Sequence, residues 1–518
     1  MLKKQMFAKK SLRRLLEEMA GEDRLHRVLG PVTLTALGVG AVIGAGIFVA
    51  TGSAAREVAG PALMVSYTVA GLTCIFAALC YAEFASMAPV AGSAYTYAYT
   101  TLGELFAWII GWDLVLEYAV GAATVANGWS GYFQKVLNKG LAKYDLQFSE
   151  KFSSSPWVYV DGNFAETNSY FNLPAVIIVA IMTMILVKGI RESAGFNALM
   201  VFIKTAAVLF VIFVGVFYIN PENWEPFAPF GWGGLSLFGK PVLGTELNQG
   251  GQPVGMLAGA AIIFFAYIGF DSVSTHAEEA KNPQRDVPIG IIASLVICTI
   301  LYIAVVAVLT GMVPYSTIDK DAGVSSAFHH ANLPWADLII SAAGVAGITS
   351  VLLVMMLSAP RVFLAMARDG LVPHKFFADV HPKYRTPWKS TIAIGIFVGL
   401  LAGMLPIDAL LHLTNIGTLF AFVIVCAAVL IMRKIEPDLP RPFRCPLVPI
   451  VPLLGIGSCL MLMLSLPADN WYRLIGWLAL GLCIYFGYGR YHSTLGKELR
   501  GELAIHGATP AGSPFDER

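Results

Sequence analysis

Four glycines lie close together in an apolar stretch near the start of the chain. Residues 37–48 read LGVGAVIGAGIF, with glycine at positions 38, 40, 44 and 46. Each glycine makes a helix less stable than alanine does, by about 1 kcal/mol, so the helix is weakest here. We expect residues 43–46 to unwind, which leaves free N–H groups at the start of the helix that follows. Such N–H groups attract carboxylates.

The same glycines have a second interpretation. Gly40 and Gly44 form a GxxxG pattern, which brings two helices into close contact in a membrane. The small residues of GAGIF at 44–48 are denser than helix contact requires, which favours the binding loop.

A second interruption is predicted further along the chain. The run IIFFAYIGFDS at residues 262–272 is apolar until Gly269 and the nearby acid Asp271. Backbone groups that are freed inside a bilayer must bond to protein or line a cavity. We therefore expect this break to belong to the same site as the first.

Carboxyl groups inside apolar runs need an explanation, because a charge at the bilayer centre costs about 2.5–3.5 kcal/mol. Asp113 and Glu117 are four residues apart and share a helix face. Glu117 lies nearer the middle of its run and is the better functional candidate, with Asp271 as its counterpart. The alternative is a neutral or hydrogen-bonded carboxyl that joins two helices.

Lys204 lies in the apolar sequence VFIKTAA at 201–207. A lysine held away from water can release its proton, so we predict proton exchange at Lys204. The alternative is an ammonium that reaches the membrane surface. In the string HAEEAKNP at 276–283, Glu278 or Glu279 could form a gate, although a solvated helix end explains the same residues.

The elements that position these residues are apolar helices. Of the 518 residues, 56% are hydrophobic and only 13% are charged, whereas a soluble protein has about 25% charged residues. A membrane-spanning helix needs roughly 20 apolar residues. Twelve runs of this kind are present, at 31–53, 62–83, 105–133, 173–188, 195–219, 254–278, 289–312, 336–366, 390–406, 410–433, 447–466 and 472–490. The sequence predicts an all-α integral membrane protein.

Basic residues predict the orientation of the chain. Lys and Arg concentrate in the loops after the fourth, sixth, eighth and tenth runs, and such loops lie on the cytoplasmic side. The loop 134–172 is an exception, with four lysines. We expect a cytoplasmic N-terminal segment at 1–30, without a secretory signal, and a cytoplasmic tail at 493–518 that is disordered from 494.

The two broken runs are the first and the sixth. Because five is odd, two consecutive five-helix units have opposite topology, as in transporters built from inverted repeats. We predict a first repeat at 31–219 and a second at 254–434, followed by two further helices at 447–492. The pseudo-twofold axis of such repeats would place both breaks at one depth, facing each other.

Several classes of function are not supported by the sequence. The net charge of +1 gives no reason to expect nucleic acid. The seven cysteines form no CxxC pair, which argues against a disulfide framework or a metal site. Motifs for a metalloprotease, a nucleotide-binding loop or a nucleophile elbow are not present in the sequence. We expect neither an enzyme nor a cofactor.

Together, several segments resemble one family. They are GVGAVIGAGIFVATG (38–52), YAEFASMAPVAGSAYTY (81–97), GWDLVLEYAVGAATVANGWSGYF (111–133), FFAYIGFDSVSTHAEEAKNPQRDVPIGI (264–291), PRVFLAMARDGLVP (360–373) and LTNIGTLFAFVIV (413–425). The chain resembles the bacterial branch of the cationic amino acid transporter family, within the amino acid–polyamine–organocation superfamily. The resemblance implies ten core helices in two inverted repeats, with the two helices at 447–492 peripheral to them.

It also implies a site for an amino acid. The substrate carboxylate would bind the backbone N–H groups of Gly44, Ala45 and Gly46. Its ammonium would meet the carbonyls of Ile43, Phe265, Ala266 and Ile268. Phe265 matches an aromatic lid over the site, and Glu117 falls where relatives have a polar or acidic residue. Lys204 matches a lysine that replaces sodium in proton-coupled relatives.

Two features depart from the family pattern. The loop 134–172 is longer than expected, and no role is assigned to it. Met355 and Met356 stand in the eighth run, where a methionine facing the pocket would exclude a long cationic side chain, since buried volume cannot be shared. A small neutral amino acid such as alanine is therefore at least as good a candidate as arginine or lysine.

The sequence thus predicts a proton-coupled symporter of small neutral and/or cationic L-amino acids in the plasma membrane (the cell inner membrane), working by alternating access. Its partners would be the amino acid, protons and the lipid bilayer. An amino acid exchanger is the alternative, and a channel or a non-transporting membrane sensor is less favoured. Oligomeric state and direction of flux stay open.

Overall fold

The computed structural model describes residues 2–10, 29–87, 93–160, 163–189, 193–237, 240–242, 245–248, 251–275, 280–320, 323–384 and 386–502. The α-helices are α1 (Leu2–Met6), α2 (Pro31–Val42), α3 (Thr51–Ala54), α4 (Leu63–Met87), α5 (Ser93–Thr101), α6 (Glu104–Leu141), α7 (Leu173–Lys188), α8 (Ser193–Gly215), α9 (Met256–Ile263), α10 (Ser272–Thr275), α11 (Pro283–Met312), α12 (Gly323–His330), α13 (Pro334–Arg368), α14 (His374–Phe377), α15 (Trp388–Met404), α16 (Ile407–Ile435), α17 (Ile450–Leu464), α18 (Ala468–Ile484), α19 (Arg490–His492) and α20 (Thr494–Leu499). Within the described residues, each predicted apolar run overlaps one of these helices or an interrupted pair.

Within the described residues, six helical stretches are long and apolar enough to cross a membrane by themselves. They are Gly46–Met87, Glu104–Leu141, Leu199–Tyr218, Pro283–Met312, Pro334–Arg368 and Ile407–Ile435. Shorter apolar helices include α2, α7 and α15, and α17 meets the helical stretch that begins with α18 at a bend of 112°. The fold is therefore helical and suited to a bilayer. The count of twelve spans and the inverted repeat stay predictions.

Strands are short and lie in connections between helices. The loop predicted at 134–172 begins as an extension of α6 and contains the antiparallel hairpin of β1 (Trp157–Val160) and β2 (Asn163–Glu166). Two further antiparallel pairs precede α9. These are β3 (Ser236–Leu237) with β4 (Lys240–Pro241), and β5 (Glu246–Leu247) with β6 (Pro253–Val254).

Local sequence explains where α7 begins and ends. The side chain of Asn172 accepts a hydrogen bond from the N–H of Ala175, and Pro174 occupies the first turn, where a missing N–H costs nothing. Gly189 ends the helix with a φ of 89°, a conformation that favours glycine. These signals place the helix at the residues that the apolar run predicted.

The long helices α6 and α13 pack along each other at the centre of the fold, and α11 packs along α4. Helices α6 and α13 have 38 and 35 residues, which exceed the roughly 20 that a bilayer crossing needs. This agrees with the long third and eighth runs. The core helices around them carry the two interruptions.

A buried ion pair fastens the end of α4 to the end of α16. The Glu83 carboxylate is 1% exposed and accepts two hydrogen bonds from Arg433, at 3.1 and 2.6 Å. Arg441 lies 3.3 Å from the same carboxylate, and the N–H of Cys445 donates to it at 2.7 Å. Glu83 therefore holds both α16 and the loop 436–449.

Replacing Glu83 with glutamine is expected to lower the free energy of unfolding by about 3–5 kcal/mol, because breaking a buried pair leaves cations without their counter-charge. Thermal unfolding of the purified protein, followed by tryptophan fluorescence, measures the change. Glu225→Gln, at an exposed loop position, is the matched control. Equal melting temperatures for the two variants would contradict the role of Glu83.

The first and last described helices pack together, and the predicted disorder is wrong for residues 494–502. The rest of the predicted tail, 503–518, lies outside the described residues. Helix α20 contacts α1, and the Ser493 hydroxyl accepts from the N–H of Gly496. Ser493, Gln5 and Tyr485 all donate to the buried Glu104 carboxylate. Ser493 therefore connects the start of α20 to the buried Glu104, which explains why this polar segment is helical.

Candidate functional site

The first interruption falls at Ile43 and Gly44. Helix α2 ends at Val42, and Ile43 has an extended backbone with φ −69° and ψ 108°. Ala45 is again helical, and Gly46–Ala50 form a π-helical turn. The interruption is therefore shorter than the predicted 43–46, because Gly46 already belongs to the second half-helix.

The second interruption is longer and depends on one glycine. After α9, residues Phe264–Tyr267 form a 3₁₀ turn, and Ile268 has a ψ of 133°. Gly269 has a φ of 115°, in the left-handed region, and a Cβ there would lie 2.9 Å from the Ala41 carbonyl oxygen. Only glycine fits without strain. The predicted break at Gly269 is present.

The two interruptions touch each other. A Cβ added to Gly46 would lie 2.2 Å from Cα of Ala266, which is a backbone atom and cannot rotate away. The hydroxyl of Tyr302, on α11, lies 2.9 Å from the Val42 carbonyl oxygen and 3.1 Å from that of Ala266. Because a hydroxyl has one proton, Tyr302 shares a single hydrogen bond between both breaks.

Lys204 lies beside the first interruption. Its side chain is fully buried, with 0% exposed. The ammonium donates to the Gly40 carbonyl and, over 2.8 Å, to the Ser350 hydroxyl. In a continuous α-helix the N–H of Gly44 would use the same Gly40 carbonyl. Lys204 thus joins α8 to α2 and α13, and it does not reach the surface as the alternative interpretation required.

The three carboxyls predicted from the sequence, Asp113 and Glu117 on α6 and Asp271 just before α10, are buried. Tyr118 donates to Asp271 over 2.6 Å. Glu117 faces Thr418 of α16, while its Oε2 atom and Oδ2 of Asp113 have no hydrogen-bond partner among the described residues. Asp271 therefore joins the sixth run to α6, whereas Glu117 keeps unused hydrogen-bonding capacity.

The apolar candidates pack around the same helices. Phe265 lies in the 3₁₀ turn, and Met355 and Met356 are buried on α13. Val351, one turn before Met355, contacts Gly44, and the sulfur of Met355 packs over Gly121 of α6. Helix α13 therefore runs from the first interruption to the face that carries Glu117. Glu278 lies outside the described residues.

Sequence reasoning missed the neutral polar residues that bond to the broken backbone. Besides Tyr302, Asn415 of α16 donates to the carbonyls of Ala261 and Ile262 at 2.8 and 2.9 Å. Tyr132 donates to the carbonyl of Phe48 over 2.6 Å. The sequence did contain a signal for these three residues, because each has a polar side chain inside a predicted apolar run.

Replacing Tyr302 with phenylalanine is expected to leave the carbonyls of Val42 and Ala266 without this donor. An unpaired buried carbonyl costs about 1–3 kcal/mol, so the melting temperature should fall and uptake should slow. Tyr218→Phe, at an exposed site, is the control. Wild-type stability and uptake in the Tyr302 variant would show that the hydroxyl does not stabilise the breaks.

Comparison with known proteins identifies the family of this chain. A family model for amino acid permeases matches residues 29–485, which include both interruptions. This chain belongs to the amino acid permease family. The predicted membership of the amino acid–polyamine–organocation superfamily is thereby confirmed, and the permease is a transporter rather than an enzyme.

Relatives of this permease differ in what their names say they carry. A branched-chain amino acid permease of Bacillus subtilis is 46% identical over 96% of this chain and 100% of the relative. A methylthioribose transporter of the same organism is 43% identical over 95% of this chain and 99% of the relative. Human cationic amino acid transporter 4 is 36% identical over 82% of this chain and 63% of the relative.

Proposed function

We propose that this permease is a proton-coupled symporter of small L-amino acids that works by alternating access. The observation that carries the proposal is the position of Lys204, fully buried beside the first interruption and bonded to Gly40 and Ser350. A charged ammonium has three donors. Loss of its proton removes the charge and one donor, which weakens the connection between α8, α2 and α13.

Protonation of Lys204 would therefore favour one packing of these helices over another. A ligand shifts a conformational equilibrium only when it binds the two states differently. A proton on Lys204 would bind the two states differently, because the hydrogen-bond partners of the ammonium lie on α2 and α13, the helices beside the first interruption. Proton binding and substrate binding would be coupled because Lys204 bonds to α2, and α2 leads directly into the loop that would bind the substrate.

The substrate would bind between the interruptions. Its carboxylate would lie against the N–H groups at Gly44, Ala45 and Gly46. Its ammonium would meet carbonyls at Ile43, Phe265, Ala266 and Ile268. Since Gly46 packs directly on Ala266 in this structure, the two breaks have to separate before a substrate can enter. Such separation is what alternating access requires.

The buried residues Phe265, Met355 and Met356 favour a small neutral or branched aliphatic side chain. The branched-chain permease among the relatives agrees with this choice. Glu117, with a carboxylate oxygen that lacks a described partner, would be the group to meet a cationic side chain. We propose neutral amino acids first and cationic ones second.

A thermal-shift screen of the purified permease tests the substrate. The ligands are the twenty amino acids and methylthioribose, because the relatives include a transporter of the latter. A ligand at 100 times its Kd stabilises the folded form by about 2.7 kcal/mol. We expect alanine or a branched-chain amino acid to raise the melting temperature. Stabilisation by methylthioribose alone would overturn the proposal.

Uptake by proteoliposomes tests the coupling. A symporter accumulates substrate when a pH gradient is the only driving force. An exchanger gives counterflow but no net accumulation under that gradient.

Two further parts of the proposal concern gating and orientation. Asp271, bonded to Tyr118, and Glu278 would serve in gating. The basic loops support a plasma-membrane orientation with both ends of the chain cytoplasmic.

A further inference from the structure

A groove of about 610 Å³ opens on the outer surface of the helix bundle, at the start of α11. Arg285, Ile289, Ile292 and Val296 of α11 form one wall, and Pro442 and Phe443 of the loop after α16 form the other. Its volume lies within the range of about 300–1,000 Å³ that ligand pockets have. No part of the proposed amino acid site lines it.

The groove faces away from the protein core. Ile289 and Val296 are each 40% exposed, whereas Leu295 and Cys298, on the opposite face of α11, are fully buried. The stripe from Arg285 to Val296 spans eleven residue steps, or about 16 Å of helix. That length is about half of a 30 Å bilayer core, so the groove matches one leaflet.

The groove ends in positive charge. Arg285 lines the groove and is exposed, and within the described residues its side chain makes no ion pair. Arg444, which follows the lining residue Phe443 in the chain, is also exposed. Asp286, the nearest acid along the chain, is buried and accepts a hydrogen bond from the N–H of Asn282. An arginine guanidinium binds a phosphate oxygen pair through two parallel hydrogen bonds.

We propose that this groove is a binding site for an anionic phospholipid. One acyl chain lies along Ile289, Ile292 and Val296, and the headgroup phosphate is held by Arg285 with Arg444 beside it. Further along the same helix Ile297 and Ile300 are exposed, so a lipid in the bilayer would reach the groove by lateral diffusion along this apolar surface.

The lipid would stabilise one end of the bundle. Ser86, at the end of α4, accepts a hydrogen bond from the N–H of Phe443 at 3.2 Å. The N–H of Lys281, just before α11, donates to the carbonyl of Leu29 at 2.8 Å, next to the start of α2. A lipid between Phe443 and α11 would therefore connect the loop after α16, which is bonded to α4, with the start of α11, which is bonded to the residues before α2.

Native mass spectrometry of the full chain tests the site. The probes are phosphatidylglycerol and phosphatidylcholine with identical acyl chains. The variants are Arg285→Gln, which removes the charge, Ile292→Trp, which fills the groove, and the control Arg368→Gln, an exposed arginine at the end of α13. Melting temperatures without added lipid check that each variant folds.

We expect the wild type and the Arg368 variant to retain phosphatidylglycerol at least several times better than phosphatidylcholine. Arg285→Gln should remove the preference, and Ile292→Trp should reduce retention of both lipids. Equal retention of the two lipids by the wild type would overturn the proposal. So would a preference that survives both groove substitutions, since the anionic lipid would then bind elsewhere.

Discussion

Uptake driven by a pH gradient should be lost when Lys204 is replaced by alanine or glutamine. Each hydrogen bond from a charged donor contributes about 1.5–3 kcal/mol, which corresponds to roughly a 10- to 150-fold effect on an equilibrium. Lys204 makes two such bonds, to Gly40 and Ser350. Neither replacement can carry a proton, so the helices lose the group whose charge would distinguish two packings.

The measurement is radiolabelled uptake into proteoliposomes with an imposed pH gradient, beside counterflow without one. Lys188→Ala, at the exposed end of α7, is the matched control and should transport as the wild type does. A melting temperature and a gel-filtration profile confirm that the Lys204 variants fold. Undiminished pH-driven uptake by these variants would rule out the proposed coupling.

The second large effect is expected at Gly46. Its replacement by alanine puts a Cβ 2.2 Å from the backbone Cα of Ala266, so the two interruptions must move apart. Overpacking of this kind costs about 1–3 kcal/mol, and here it acts on the groups proposed to hold the substrate. Uptake should fall to background, and the substrate should no longer raise the melting temperature.

Two further glycines show whether the position or the substitution matters. Gly457 lies on an exposed helix face, where an added Cβ would have no atom within 4 Å, so Gly457→Ala should leave uptake unchanged. At Gly44 the close neighbour is the side chain of Val351 rather than a backbone atom, and alanine should therefore impair uptake less than at Gly46. Normal transport by Gly46→Ala would show that the breaks need not pack so closely.

Much of the fold could be predicted from the sequence because its signals are local. The apolar run at 173–188 is also the observed α7, since length and hydrophobicity alone define such a helix. Closely spaced glycines predicted the break near Gly44, and a single glycine followed by an acid predicted the break at Gly269, where a positive φ is required. Lys204 was found because a charge inside an apolar run is rare.

The missed features depend on contacts between distant parts of the chain. Tyr302 and Val42 are 260 residues apart, and no local pattern links a tyrosine to a particular backbone carbonyl. The same holds for Asn415 and Ala261. Residues 494–502 are mostly polar, which suggests disorder, yet α20 forms there because Ser493, which donates to the distant Glu104, also accepts from the N–H of Gly496 at the start of the helix. Buried hydrogen-bond partners are thus the part that sequence patterns do not reveal.

The shared proton of Tyr302 has a consequence for the unloaded carrier. A hydroxyl and an ammonium, both contributed by the protein, already bond to the carbonyls of Val42, Ala266 and Gly40. These three carbonyls therefore keep hydrogen-bond donors without a bound substrate in the conformation of this structure. We therefore expect the empty carrier to change conformation without substrate, a step that net accumulation requires and one-for-one exchange does not.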